Sequence, residues 1–142
     1  MKLIKKKYKY PKLQRVENEF GRFYIDSMGN EVPSVTNVLS STSDQSGIDE
    51  WKRRVGLEEA ERILEESLTI GSNVHNALEN LLKDNKWEIL DDGSFVSKTS
   101  ILILNTFIKN LISDINEVWG LEAGLILDGL YAGTADCIGI YK

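Results

Sequence analysis

A chain of 142 residues, 42% apolar and 27% charged, holds enough material for one globular core and too little for two comfortable ones. Its net charge of -5 hides an asymmetry: seven Lys or Arg precede Glu17, the first acid, leaving 10 basic against 22 acidic side chains from there onward. No run approaches the ~18 apolar residues of a membrane span, and MKLIKKKYKYP has no apolar stretch behind its charged start, which excludes a secretory signal.

A cytoplasmic protein of a bacterium or a phage-infected host is therefore expected, with no membrane partner. The lone cysteine, Cys137, cannot form an internal disulfide or an all-cysteine zinc or iron-sulfur site, and reads as a small core residue. Residues 1–12 form a basic arm able to reach phosphates, or a plain solvated terminus, and residues 13–142 form the folded part.

In chain order, residues 13–25 alternate as two short strands around a polar turn, and Ser27-Met28-Gly29-Asn30 marks another turn. Pro33-Ser34 opens a helix with Ser34 as its N-cap, and the Ser/Thr run from Ser40 to Ser46 reads as a loop. Ile48 to Val55 is a short helix carrying Trp51 beside Lys52, Arg53 and Arg54. After Gly56, the residues Leu57, Ala60, Leu64 and Leu68 share one helical face, and Ile70, Val74, Leu78 and Leu81 define a second helix.

A polar stretch from Asn85 to Gly93 follows, with Trp87 folding back onto the core. The strongest helical period begins near Thr99 and runs through Ile101, Leu104, Ile108, Leu111 and Ile115. The last stretch, Leu121 to Lys142, has two apolar runs either side of Asp128-Gly129, a strong hairpin signal. The fold class expected is α/β in the broad sense (α+β), with N-terminal strands and helices packed on this hairpin.

Glu122 and Asp136 sit inside those apolar runs, where a carboxylate is costly to bury unless paired or metal-bound. Either both point into water or they share a metal. A two-residue loop at Asp128-Gly129 puts them on opposite faces, whereas a three-residue loop of Leu127-Asp128-Gly129, or a bulge at Gly124 or Gly133, puts them on one face. His75, the only histidine, follows Val74 at the edge of a helical face, with Gly71 one turn earlier leaving room above its ring. Glu79, one turn later, reads as a surface acid. Ser34 and Thr36 begin a helix whose free N–H groups attract anions, and Trp51 flanked by three cations could stack on a base.

PSVTNVL at 33–39, EWKRR at 50–54, GSNVHNALENLL at 71–82 and LEAGLILDGLYAGTADCIGIY at 121–141 occur in this order. Together they resemble the PD-(D/E)XK nuclease superfamily, in its RecB-like branch that includes the mitochondrial genome maintenance exonuclease and phage exonucleases. The resemblance implies His75 from a GxxxH helix, Asp136 from a GxxD strand after Gly133, and Glu122 from the neighbouring strand as catalytic and metal-binding residues. It implies Mg2+ or Mn2+, single-stranded DNA as substrate, and a mixed restriction-endonuclease-like sheet begun by the hairpin.

The family's acid-x-lysine strand and QxxxY helix are not found; Ile140 stands where an acid would have to precede Lys142. The expectation is the N-terminal part of such an exonuclease, from a truncated frame or fragment, with weak or no metal binding and no turnover alone. The alternatives are a non-catalytic DNA-binding or partner-binding module using the basic arm and the Trp51 cluster, and an incomplete domain with an exposed sheet edge that aggregates.

Overall fold

The alternation between Leu13 and Ile25 becomes a β-hairpin of β1 (Gln14–Asn18) and β2 (Gly21–Ile25) in a computed structural model that describes residues 3–142. Asn18 lies opposite Gly21, which leaves Glu19-Phe20 as a two-residue loop. Gly21 closes it with φ +118, in a place where a Cβ would meet Oδ1 of Asn37 at 2.5 Å. The turn at Ser27 leads into β3 (Glu31–Pro33), antiparallel to β2. Three residues are too few for an alternation to register in the sequence, and Pro33 is tolerated because β3 is an edge strand.

Helix α1 (Val35–Thr42) starts as expected, with the Ser34 hydroxyl accepting the Asn37 N–H at 3.0 Å. It continues into the Ser/Thr run expected to be a loop. The hydroxyls of Ser40, Ser41 and Thr42 donate back to carbonyls of their own helix rather than competing with it. After α2 (Ser46–Val55) comes α3 (Leu57–Leu82), one helix of 26 residues where two were expected. Gly71 inside it costs about 1 kcal/mol relative to Ala, a penalty that burial of Val74 and Ala77 in the next two turns outweighs.

Helix α4 (Phe95–Asn110) begins earlier than Thr99, since Ser94 caps it by accepting the Ser97 N–H. It also stops before Ile115, the last residue of the expected apolar row. After a single turn of 3-10 helix, β4 (Ile115–Leu127) begins, and β5 (Tyr131–Tyr141) pairs with it. The connecting residues Asp128, Gly129 and Leu130 form a turn in which the Leu130 N–H donates to the Leu127 carbonyl at 3.0 Å and Gly129 takes φ +73. The architecture is mixed α+β, with helices and two small antiparallel sheets. Among the described residues, no helix is long and apolar enough to cross a membrane.

The chain divides into two compact units, a helical one of Gln45–Glu117 with Ile140–Lys142, and a sheet unit of Lys5–Asp44 with Val118–Gly139. In the helical unit, α3 packs on α4. Its buried side chains are Ala60, Val74, Ala77 and Leu82 from α3 and Ser97, Ser100 and Leu104 from α4. The α4 stripe thus runs through two serines, whose small side chains suit a close approach, and Ser100 receives a 3.3 Å hydrogen bond from the Asn73 amide of α3. Leu57 and Leu68, expected on a buried face of α3, are 69% and 72% exposed.

In the sheet unit, Tyr24, Val32 and Ala132 form the core, with Leu13 and Ile126 against it. A parallel bridge between Ser34 and Ala132 joins the end of β3 to the start of β5. Two aspartates fasten the turns. The Asp26 carboxylate accepts the N–H groups of Met28, Asn30 and Gly129 at 3.0, 2.8 and 2.8 Å, so it holds its own turn and reaches the hairpin turn 103 residues later. Asp128 answers by accepting both the N–H and the hydroxyl of Ser27. Burial pushes the Asp26 carboxyl pKa up, but the backbone donors from Asn30, Gly129 and Met28 outweigh it and hold it below the usual value.

The segment before β1 is seated in this unit. The Lys5 N–H donates to the Val118 carbonyl at 2.8 Å. Gly120 and Gly124 of β4 give the arm its room: a Cβ at Gly120 would stand 2.7 Å from the Tyr10 ring, and one at Gly124 2.6 Å from the Pro11 carbonyl oxygen.

Two expectations follow. Leu104→Ala leaves a void at a side chain only 1% exposed, and should cost about 2–5 kcal/mol in a urea unfolding titration. Asp26→Asn should destabilise the protein at neutral pH. Because the folded pKa is depressed, the contribution of Asp26 is present above the unfolded value of about 3.9 and is lost as pH falls through the folded one. The difference in unfolding midpoint between parent and variant should therefore shrink below that pH.

Candidate metal and phosphate cleft

Glu122 and Asp136 come from the two strands of the hairpin, and both are exposed. Glu122 interrupts β4 with φ +48, the left-handed region, which costs a residue bearing a Cβ roughly 1–2 kcal/mol. The departure from extended backbone lies at Glu122 itself, not at Gly124 or Gly133, where a bulge was one of the two routes by which the acids could share a face. A carboxylate oxygen of Glu122 lies within 4.8 Å of one of Asp136. Two oxygens on a common Mg2+ are at most about 4.2 Å apart, so a small rotation of exposed side chains brings the pair to ligand spacing.

Both carboxylates line an open cleft of about 600 Å³ in the sheet unit. Ser34 and Thr36 line it too, so four of the residues singled out from the sequence meet in one place. Ser34 is buried, with its hydroxyl engaged as the cap of α1, while the Thr36 side chain is exposed in the first turn. Free N–H groups of that turn carry the positive end of the helix dipole.

The cleft also contains Arg15 and Arg22, which the sequence reading did not single out. Arg15 is ion-paired with Glu17, and the Arg22 Nε lies 3.5 Å from the same carboxylate. The hydrogen bond and charge of Arg15, then those of Arg22, hold the Glu17 carboxyl below its usual pKa. Charges at 15, 17 and 22 carried the signal: residues two apart share a strand face, and the register sets Glu17 opposite Arg22.

Cys137, expected in the core, is exposed. Its neighbour Asp136 points into the cleft, and strand alternation turns the next side chain to the other face. Partial desolvation, and after it the charge of Asp136, push its thiol above the usual pKa.

His75 belongs to the helical unit, exposed on α3 one position past buried Val74, and a Cβ on Gly71 would meet nothing within 4 Å. Glu79 pairs with Lys83, as a surface acid would. Trp51 and Lys52 are half-buried on α2, with Arg53 and Arg54 exposed. The three cations occupy the last turn of that helix, where they complement its dipole. Trp87 is half-buried beside Asn73, Ala77 and Asn80 of α3.

No protein-family model, curated protein or solved structure matches this chain.

The backbone at Glu122 gives a direct test. Glu122→Gly and Glu122→Ala both remove the carboxylate, but only glycine releases the left-handed strain. Relief of roughly 1–2 kcal/mol, less the 0.5–1 kcal/mol entropy penalty of glycine, should leave Glu122→Gly more stable than Glu122→Ala by about 1 kcal/mol in chemical denaturation. Equal stabilities would mean that the backbone there is unstrained.

Proposed function

We propose that this chain is the front part of a metal-dependent DNA exonuclease acting on single-stranded ends. The observation that carries the reading is the meeting of Glu122 and Asp136 in a cleft that also holds Ser34, Thr36, Arg15 and Arg22. Two carboxylates supply hard oxygen donors, which suit Mg2+ or Mn2+ rather than a soft metal. In this reading the hairpin begins a mixed restriction-endonuclease-like sheet.

A bound divalent cation would lower the pKa of a coordinated water and offset charge on the scissile phosphate. Glu122 and Asp136 would hold that cation, and the sequence resemblance also calls for His75 as a metal ligand. The Thr36 hydroxyl and the free N–H groups at the start of α1 donate to the anionic oxygens of a neighbouring phosphate. Arg15 and Arg22 bring compensating positive charge to the cleft. Glu17 tethers both, reducing the side-chain freedom lost when an anion binds.

The 142 residues contain no acid-x-lysine after Asp136, the group that would orient the attacking water or stabilise the developing anion. The alternative is a non-catalytic DNA-binding or partner-binding module using the basic arm and the Trp51 cluster. The two readings part at the metal.

Calorimetric titration with Mn2+ should detect binding that Asp136→Asn and Glu122→Gln each weaken by roughly tenfold or more, with no degradation of single-stranded DNA. Absence of Mn2+ binding would leave the non-catalytic module. Metal-dependent digestion abolished by Asp136→Asn would overturn the expectation that this chain lacks turnover.

A further inference from the structure

The basic arm carries Lys5, Lys6, Lys7, Lys9 and Lys12, all exposed, and no acid. A solvated tail would leave these charges without a fixed arrangement. Here the arm is laid along β4, where Gly120 and Gly124 admit the Tyr10 ring and the Pro11 carbonyl. The placement gathers three aromatic rings among the lysines. Tyr8 meets Trp119 edge-to-face at 5.9 Å and Tyr10 at 6.4 Å, and the Lys7 ammonium stands 3.8 Å from the Trp119 ring centroid.

Packing explains Tyr10, which is half-buried. It does not explain Tyr8, which stays 56% exposed at the centre of the cluster. Each edge-to-face contact covers the edge of one ring and part of one face of the other, whereas parallel stacking would cover two whole faces. Ring surface therefore remains beside a row of ammonium groups, on a chain whose remaining residues are strongly acidic.

We propose that Tyr8, Trp119 and the flanking lysines form a binding surface for single-stranded nucleic acid, with bases stacking on the aromatic rings and phosphates tracking the lysines. Unstacked bases offer π-faces to Tyr8, and ammonium groups replace the counterions of the backbone. An acidic protein segment or an anionic membrane would satisfy the lysines but gives no use for an exposed edge-to-face ring. The choice of partner rests on the nucleic-acid reading above, while the surface shares no residue with the cleft.

The test is fluorescence anisotropy of labelled oligo(dT) with the full chain in EDTA, over a salt series. Log affinity should fall linearly with log salt. Tyr8→Ala should weaken binding roughly tenfold, Tyr8→Phe should retain it, and Lys7→Ala should reduce the salt slope by about 0.7. Oligo(dT) should also quench tryptophan emission in the parent and much less in Trp119→Phe, a readout that needs no change at Tyr8.

Unaltered affinity in both Tyr8→Ala and Lys7→Ala would overturn the proposal. So would binding to polyaspartate or to phosphatidylserine vesicles with none to oligo(dT). Mn2+ titration of the same variants separates the two ideas: failure at the arm leaves metal binding by Glu122 and Asp136 intact, and failure at the cleft leaves oligo(dT) binding intact.

Discussion

The carboxylate of Asp26 is the constraint on which the sheet unit depends. It is 6% exposed, and a buried carboxylate is costly unless its acceptor sites are filled. Three backbone N–H groups fill them, and one comes from Gly129 at the tip of the distant hairpin. Asp128 grips Ser27 in the opposite direction, so each turn supplies donors to the acid of the other. The antiparallel sheet and the hairpin are thereby joined at their tips, and the Ser34 to Ala132 bridge joins them again along β5. The core of Tyr24, Val32 and Ala132 is closed between these two fastenings.

That closure sets up the cleft. Ser34 bonds through its N–H to the Arg22 carbonyl, caps α1 with its hydroxyl, and bridges to β5. One residue thus fixes the start of α1, a cationic strand and the strand that bears Asp136. Against this fastened frame the left-handed backbone of Glu122 stands out, because nothing about a glutamate favours it. Strain of that kind survives where the surroundings over-determine the conformation, and it gathers at functional positions.

Much of the fold was legible where a local rule suffices. The Asp128-Gly129 turn, the Ser34 cap and the β1–β2 alternation each depend on a few adjacent residues, and each was read correctly. Errors came where tertiary burial decides. The apolar rows Leu57 to Leu68 and Ile70 to Leu81 looked like two helices, but they lie on one long helix with buried side chains on both sides of Gly71. The apolar row from Ile101 to Ile115 pointed to a longer α4 and hid the start of β4, whereas the buried stripe follows Ser97, Ser100 and Leu104. Leu57, Leu64 and Leu68 of α3 had helical spacing without burial. Of the cleft, Glu122 and Asp136 stood out as acids inside apolar runs, and Ser34 and Thr36 as the start of a helix. Arg15 and Arg22 did not, because surface-strand arginines look ordinary until a register brings them beside one glutamate.

The sheet unit is assembled from two stretches of chain separated by the whole of Gln45–Glu117. On a ribosome, the first sheet, α1 and the basic arm emerge long before the strand that carries Val118 and Trp119. Tyr24 and Val32 must wait for Ala132, and Asp26 for Gly129. The helical segment, whose α3–α4 contacts are nearer in sequence, has its partners sooner. Long-range closure of this kind is slow, and it leaves apolar surface and strand edges uncovered meanwhile. The nascent chain therefore has a vulnerable interval whose length is set by the time needed to synthesise the helices in between.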